Sequence, residues 1–87
     1  MNIHLLKIKP NFYKSVISGE KKCEVRFNDR NYQVGDLLIL WLFDEDYKSD
    51  FAICKITHII NDPDFCKKGY VILSISVIMD SQLTSYL

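Results

Sequence analysis

The stretch "EKKCEVRFNDR", residues 20–30, decides how the chain is read. In an extended backbone successive side chains point to opposite faces, so Cys23, Val25 and Phe27 share one side while Lys22, Glu24 and Arg26 share the other. That period of two marks a strand. The apolar side is expected to face a core and the charged row to face outward. Such a row makes either a ladder of surface ion pairs contributing about 0.2 to 1 kcal/mol each or the wall of a cleft, because Lys21 precedes the strand and Asn28, Asp29 and Arg30 follow it.

Upstream, "IHLLKIK" reads as a short strand. Pro10 suits the first turn of a helix, where a missing N–H costs nothing. Phe12, Tyr13, Val16 and Ile17 recur at helical spacing, and Gly19 stands where that helix should stop. Downstream, "NDRNYQVGD" is rich in turn formers, with Gly35 serving a tight turn. "LLILWLF" is an uninterrupted apolar run, expected to be a strand buried on both sides with Trp41 in the core. "DEDYKSD" reads as a polar hairpin tip. In "FAICKITHII", Ala52, Cys54, Ile56 and Ile60 line one face and His58 is a candidate for burial. "NDPDFCKKG" is a further turn. "YVILSISVIM" then puts Val71, Leu73, Ile75 and Val77 on one side, with Ser74 and Ser76 opposite. Five short strands and one early helix point to a small, largely antiparallel barrel, since closure removes exposed sheet edges. Residues 1–79 form this single domain and 80–87 a loose tail.

Composition narrows the function. A chain of 87 residues with 48% hydrophobic residues carries one small core. Eleven basic residues balance eleven acidic ones, so total charge names no partner. Their distribution is uneven. Lys7 to Arg30 holds seven Lys/Arg against three acids, and Asn31 to Cys66 seven acids against two lysines. Cys23, Cys54 and Cys66 lie in no metal-ligand spacing, and their odd number leaves a thiol unpaired; we read them as reduced and the protein as cytoplasmic. No apolar run reaches the ~18 residues of a membrane span.

Asp44, Asp46 and Asp50 imitate the start of a calcium loop, but Ser49 and Lys55 stand where that loop needs Gly and Glu. No metal and no cofactor are expected. His4 and His58 share no ligand spacing and are read as structural or surface residues. No nucleophile elbow or phosphate loop is present. Tyr70, after Gly69, has a ring suited to stacking on a base or to capping the core.

"SGEKKCEVRFNDRNYQVGD", preceded by "LLKIKPNFYKSVI" and followed by "LLIL" and later "GYVILSI", resembles the ASCH domain of the PUA-like superfamily. Gly19, Lys21, Glu24 and Arg26 form its G-x-K-x-x-E-x-R pattern, and Val34, Gly35 and Asp36 its V-G-D turn. The resemblance runs along nearly the whole chain and is closest to a compact bacterial and phage group. It implies a mainly β, α+β fold: a PUA-like, five-stranded, mixed but largely antiparallel pseudo-barrel with one or two short helices. It also implies a cleft for RNA, single-stranded nucleic acid or a nucleotide, holding Lys21, Glu24 and Arg26. Some relatives resemble amidohydrolases that act on acetylated cytidine through a lysine, a threonine and a distant glutamate. Lys21 falls on the lysine, but Glu24 occupies the threonine position and no glutamate follows Glu45. Lys21 and Glu24 would be the catalytic pair if the domain were a small hydrolase; a protein-interaction domain is a third reading. The favoured expectation is a non-catalytic binding module whose site comprises Lys9, Lys21, Lys22, Glu24, Arg26, Asn28, Arg30 and Tyr70, with the cations holding phosphate and Glu24 orienting them or accepting from a cytosine amine.

Overall fold

The computed structural model describes residues 1–42 and 50–84. The elements run β1 (Ile3–Ile8), α1 (Pro10–Ile17), β2 (Cys23–Phe27), β3 (Leu37–Leu42), β4 (Phe51–Ile60), β5 (Tyr70–Asp80) and a single turn α2 (Ser81–Thr84). The strands form one sheet in the order β1-β3-β4-β5-β2, with β1 and β3 parallel and the other three pairs antiparallel. This is the mixed, largely antiparallel five-stranded fold expected. The hairpin tip and the aspartates Asp44 and Asp46 fall in residues 43–49, outside the described residues.

Alternation builds the core. β1 buries His4, Leu6 and Ile8, while β3 buries Leu38, Leu40 and Leu42. Leu37, Ile39 and Trp41 are only half-buried, so β3 is covered fully on one face rather than two. β4 contributes Ala52, Cys54 and Ile56, and β5 contributes Val71, Leu73 and Ile75. A register irregularity between Ile56 and His58 breaks the parity of β4, leaving Thr57 and His58 both exposed. That bulge is why His58 does not join the buried face.

α1 starts with Pro10 at its first position and lays Tyr13 and Val16 onto the core. It ends because Gly19 adopts φ +84, a left-handed conformation that lets its N–H reach the Val16 carbonyl. At the far end of the chain β5 extends to Asp80. Ser81 Oγ accepts from the Phe51 N–H at 2.9 Å and bonds Asp50 at 2.9 Å, so the start of the expected tail is tied into the fold.

β2 is turned over relative to expectation. Glu24 is 5% exposed, whereas Val25 is 61% and Phe27 53% exposed. The register explains it. Glu24 lies opposite Leu73 and Arg26 opposite Val71, and directly opposed residues share a face, so Glu24 and Arg26 point inward with the core residues of β5, while Lys22, ahead of the strand, stays exposed. β1 and β2 are the two edges of the curled sheet and do not pair. The arginines reach across instead: Arg26 Nη2 donates to the Lys7 carbonyl at 2.9 Å, and Arg30 Nη1 to the Leu5 carbonyl at 3.1 Å. Apolar side chains in those positions would leave the β1 carbonyls without these donors. The gap between the two edges is therefore bridged by guanidinium groups rather than by a fifth ladder.

Candidate functional site

A groove of about 420 Å³ lies along this seam, walled by β1, the start of α1 and β2. Among the described residues its lining includes four cations, Lys7, Lys9, Lys21 and Arg26, and one carboxylate, Glu24. Among them Ile8, Phe12 and Val25 present apolar surface.

Each element places its residues for a local reason. Lys7 and Lys9 occupy the outward parity of β1 and its continuation, alternating with buried Leu6 and Ile8. Lys9 is also the N-cap of α1, in extended conformation. Phe12 is one position ahead of Tyr13, off the buried stripe of Tyr13 and Val16, and is 45% exposed in the groove. Lys21 follows the helix stop, anchored by its N–H on the Ser15 carbonyl at 2.9 Å.

Glu24 forms the floor. Its Oε1 accepts from Lys21 Nζ and its Oε2 from Arg26 Nε at 3.0 Å. Lys21 Nζ also donates to the Cys23 carbonyl and stands 5.7 Å from the centre of the Phe12 ring. The carboxylate is thus buried and doubly neutralised, while the two cations keep about a quarter of their side-chain surface open to the groove, 23% for Lys21 and 24% for Arg26. Such an arrangement holds positive charge in place.

Lys9, Lys21, Glu24 and Arg26 come together as the sequence suggested, and Lys7 and Phe12 join them. The other four nominated residues do not line this groove. Lys22 is exposed beside a smaller hollow near the end of α1. Asn28 Oδ1 accepts from the Tyr32 N–H at 3.3 Å, a turn contact. Arg30 holds β1, and Tyr70 lies on the opposite side of β2. The signals for the two missed residues were legible: Lys7 shares the parity of Lys9, and Phe12 sits off the helical stripe.

A second polar cluster ties the start of β1 to the turn before β3. Asp36 is buried and accepts from the Asn2 N–H at 3.0 Å, the Gln33 N–H at 3.0 Å and His4 Nε2 at 2.9 Å. The Asn2 amide, aided by His4 and Gln33, holds its carboxyl below the ordinary range despite burial. His4 packs edge-on against Tyr32 at 4.8 Å, which settles it as a structural histidine.

Among the described residues no group of three or more His, Cys, Asp or Glu is placed to hold a metal, and no helix is long and apolar enough to cross a membrane. The thiols differ sharply. Cys23 is exposed in the groove, whereas burial pushes the Cys54 thiol up to about 11. A thiolate-selective reagent at pH 8 should therefore modify Cys23 within minutes and leave Cys54 intact until the protein is unfolded, as read by mass spectrometry of the digested protein. Equal labelling of both in the native state would contradict the buried placement of β4.

Fold and groove together define a small mixed-sheet half-barrel with a cationic groove along its open seam. The chain belongs to the family described as a domain of unknown function, DUF3850, whose profile matches residues 3–75. Over 38 residues it is 45% identical to a protein of Escherichia phage P2 described as an uncharacterized 12.9 kDa protein in the GpA 3' region. That similarity spans 44% of this chain and about a third of the phage protein, 35% of its length.

Proposed function

We propose that the seam groove binds single-stranded nucleic acid or a nucleotide without catalysis, as the likeness to ASCH and PUA-like domains implies. One observation carries the reading: among the described residues, Lys7, Lys9, Lys21 and Arg26 and one buried carboxylate surround an exposed aromatic ring. Lys7 and Lys9 supply charge for phosphate oxygens, and Phe12 supplies a face on which a base stacks. Arg26 and Lys21 are held by Glu24, so their positions are fixed before a ligand arrives. The non-catalytic reading is supported by Glu24, a buried carboxylate whose two oxygens each already accept from a cation, Lys21 or Arg26. Free thiols at Cys23, Cys54 and Cys66 fit a reducing, cytoplasmic setting.

The test is fluorescence anisotropy with labelled oligonucleotides across a salt series. Each phosphate neutralised on a single strand contributes about 0.7 to the log–log salt slope, so three contacts give a slope near ~2. Lys9→Ala should lower that slope by about 0.7 for every sequence tried, and Phe12→Ala should weaken binding by the ~1 to 3 kcal/mol of a lost stack. Wild-type binding that is absent, or unaffected by salt and by both substitutions, would refute the proposal.

A further inference from the structure

The outward face of β2 and β5 carries an arrangement that the groove does not use. Val25, Phe27 and Tyr70, exposed because β2 is turned over, meet the loop before β5 around a second hollow of about 400 Å³ lined by Val25, Phe65, Cys66, Lys67, Tyr70 and Ile72. Phe65 is 77% exposed, a large apolar side chain left to solvent. Tyr70 is held rather than loose. The Phe27 ring meets it edge-on at 5.5 Å, and Phe27 is itself seated on Gly69, where an added Cβ would lie 2.7 Å from Phe27 Cε1. Lys67 Nζ stands 5.8 Å from the centre of the Tyr70 ring.

Val25 lines both hollows, so the two sites meet at the free edge of β2. The backbone there is arranged to receive a chain that crosses it. Ile75 N donates to Lys22 O at 3.0 Å and Asn28 N to Gly69 O at 2.8 Å, and these bonds flank the β2–β5 ladder. By the alternation of antiparallel pairing, Glu24 and Arg26 direct their backbone groups to β5, and Val25 directs its N–H and C=O off the edge. Of the acids nearest in sequence, Asp62 turns Oδ1 into its own loop, accepting from the Asp64 N–H at 2.8 Å.

Resting on the nucleic-acid reading of the groove, we propose that Tyr70, Phe65 and Lys67 form a second base-stacking subsite, and that the ligand is a single strand of several nucleotides crossing the β2 edge at Val25. A rigid aromatic ring, a second exposed ring and an adjacent ammonium are the parts that sequence-tolerant recognition of single strands requires, because every base has a face to stack and every linkage a charge. A ligand in the groove that continues past Val25 arrives at these rings. A mononucleotide reaches only Phe12.

The experiment compares binding of labelled mononucleotide, tetranucleotide and octanucleotide, in RNA and DNA forms, to wild type, Phe12→Ala, Phe65→Ala, Tyr70→Phe and Tyr70→Ala. Wild type should bind the tetranucleotide at least tenfold more tightly than the mononucleotide. Tyr70→Ala and Phe65→Ala should each weaken tetranucleotide binding about tenfold and leave the mononucleotide unchanged, while Tyr70→Phe retains it and Phe12→Ala weakens both. Phe65 is so exposed that its removal spares the fold. Equal RNA and DNA affinities would assign recognition to bases and phosphates, and a preference for RNA would add the 2′-hydroxyl; both support the subsite if the length dependence holds. Tetranucleotide binding that survives Phe65→Ala and Tyr70→Ala but falls in Phe12→Ala overturns the second subsite and leaves the groove. No binding of any length by wild type overturns both.

Discussion

Asp36→Ala should destabilise the domain by about 3 kcal/mol, because it removes from a buried place the acceptor of three donors at once. Asn2 N, Gln33 N and His4 Nε2 all end on this carboxylate, joining the start of β1 to the turn before β3. For a domain of this size ~1 kcal/mol corresponds to roughly 4–8 °C in Tm, so a fall of about 12–24 °C is expected in a thermal melt. Asp36→Asn keeps the shape and one carbonyl acceptor and should lose about half as much. The pH dependence has a definite sign. The folded carboxyl lies below its ordinary value of 3.8, chiefly through the Asn2 amide. The stabilisation it gives is therefore present above the unfolded pKa and is lost as pH falls through the folded one. Wild type should lose stability below about pH 4 through this group, and the difference between wild type and Asp36→Asn should shrink there. An Asp36→Ala protein that melts within a few degrees of wild type at pH 7 would mean that the cluster is not buried as described.

The V-G-D turn containing Asp36 was visible in the sequence, but its three-donor role was not, because Asn2 and His4 lie more than thirty residues away. The same limit separates what was legible from what was not elsewhere. Strand and helix positions follow from local periodicity, which is why β1, α1, β4 and β5 lie close to where "IHLLKIK", "PNFYKSVI", "FAICKITHII" and "YVILSISVIM" put them. The face of β2 does not follow from local pattern. Alternation says that Cys23, Val25 and Phe27 share a side, but which side is inward depends on the register with β5 and on the need to close a seam against β1. An edge strand in a half-barrel can turn a charged side chain inward when that charge reaches a backbone carbonyl across the gap, as Arg26 does, seconded by Arg30 from the turn that follows. The consequence for the candidate site is concrete. The inward row sets the groove, and the displaced apolar row becomes the outer aromatic face.

Glu24 offers the sharpest test of what that inward row does. Its carboxylate is 6% exposed and answers both Lys21 and Arg26, so Glu24→Gln removes the negative charge between two cations while keeping one acceptor. Truncating one member of a fully buried ion pair costs about 3–5 kcal/mol. Here the partners stay partly open to the groove and can be rehydrated, so a smaller loss of about 2 kcal/mol is expected, or roughly 8–16 °C in Tm. Binding should move the other way. With Glu24 neutral, Lys21 and Arg26 lose the carboxylate that both now answer. Affinity for single strands at low salt should then rise several-fold, and the salt slope should steepen by up to ~0.7, the contribution of one further phosphate contact. If Glu24 instead read the exocyclic amine of a base, the same substitution would weaken binding and remove ~1 to 3 kcal/mol of discrimination among bases. A protein that is less stable yet binds more tightly, with unchanged base preference, identifies Glu24 as the clamp that fixes Lys21 and Arg26. Lower stability with weaker, less selective binding assigns it to the ligand, and would require that its bonds to both cations loosen when the groove is filled.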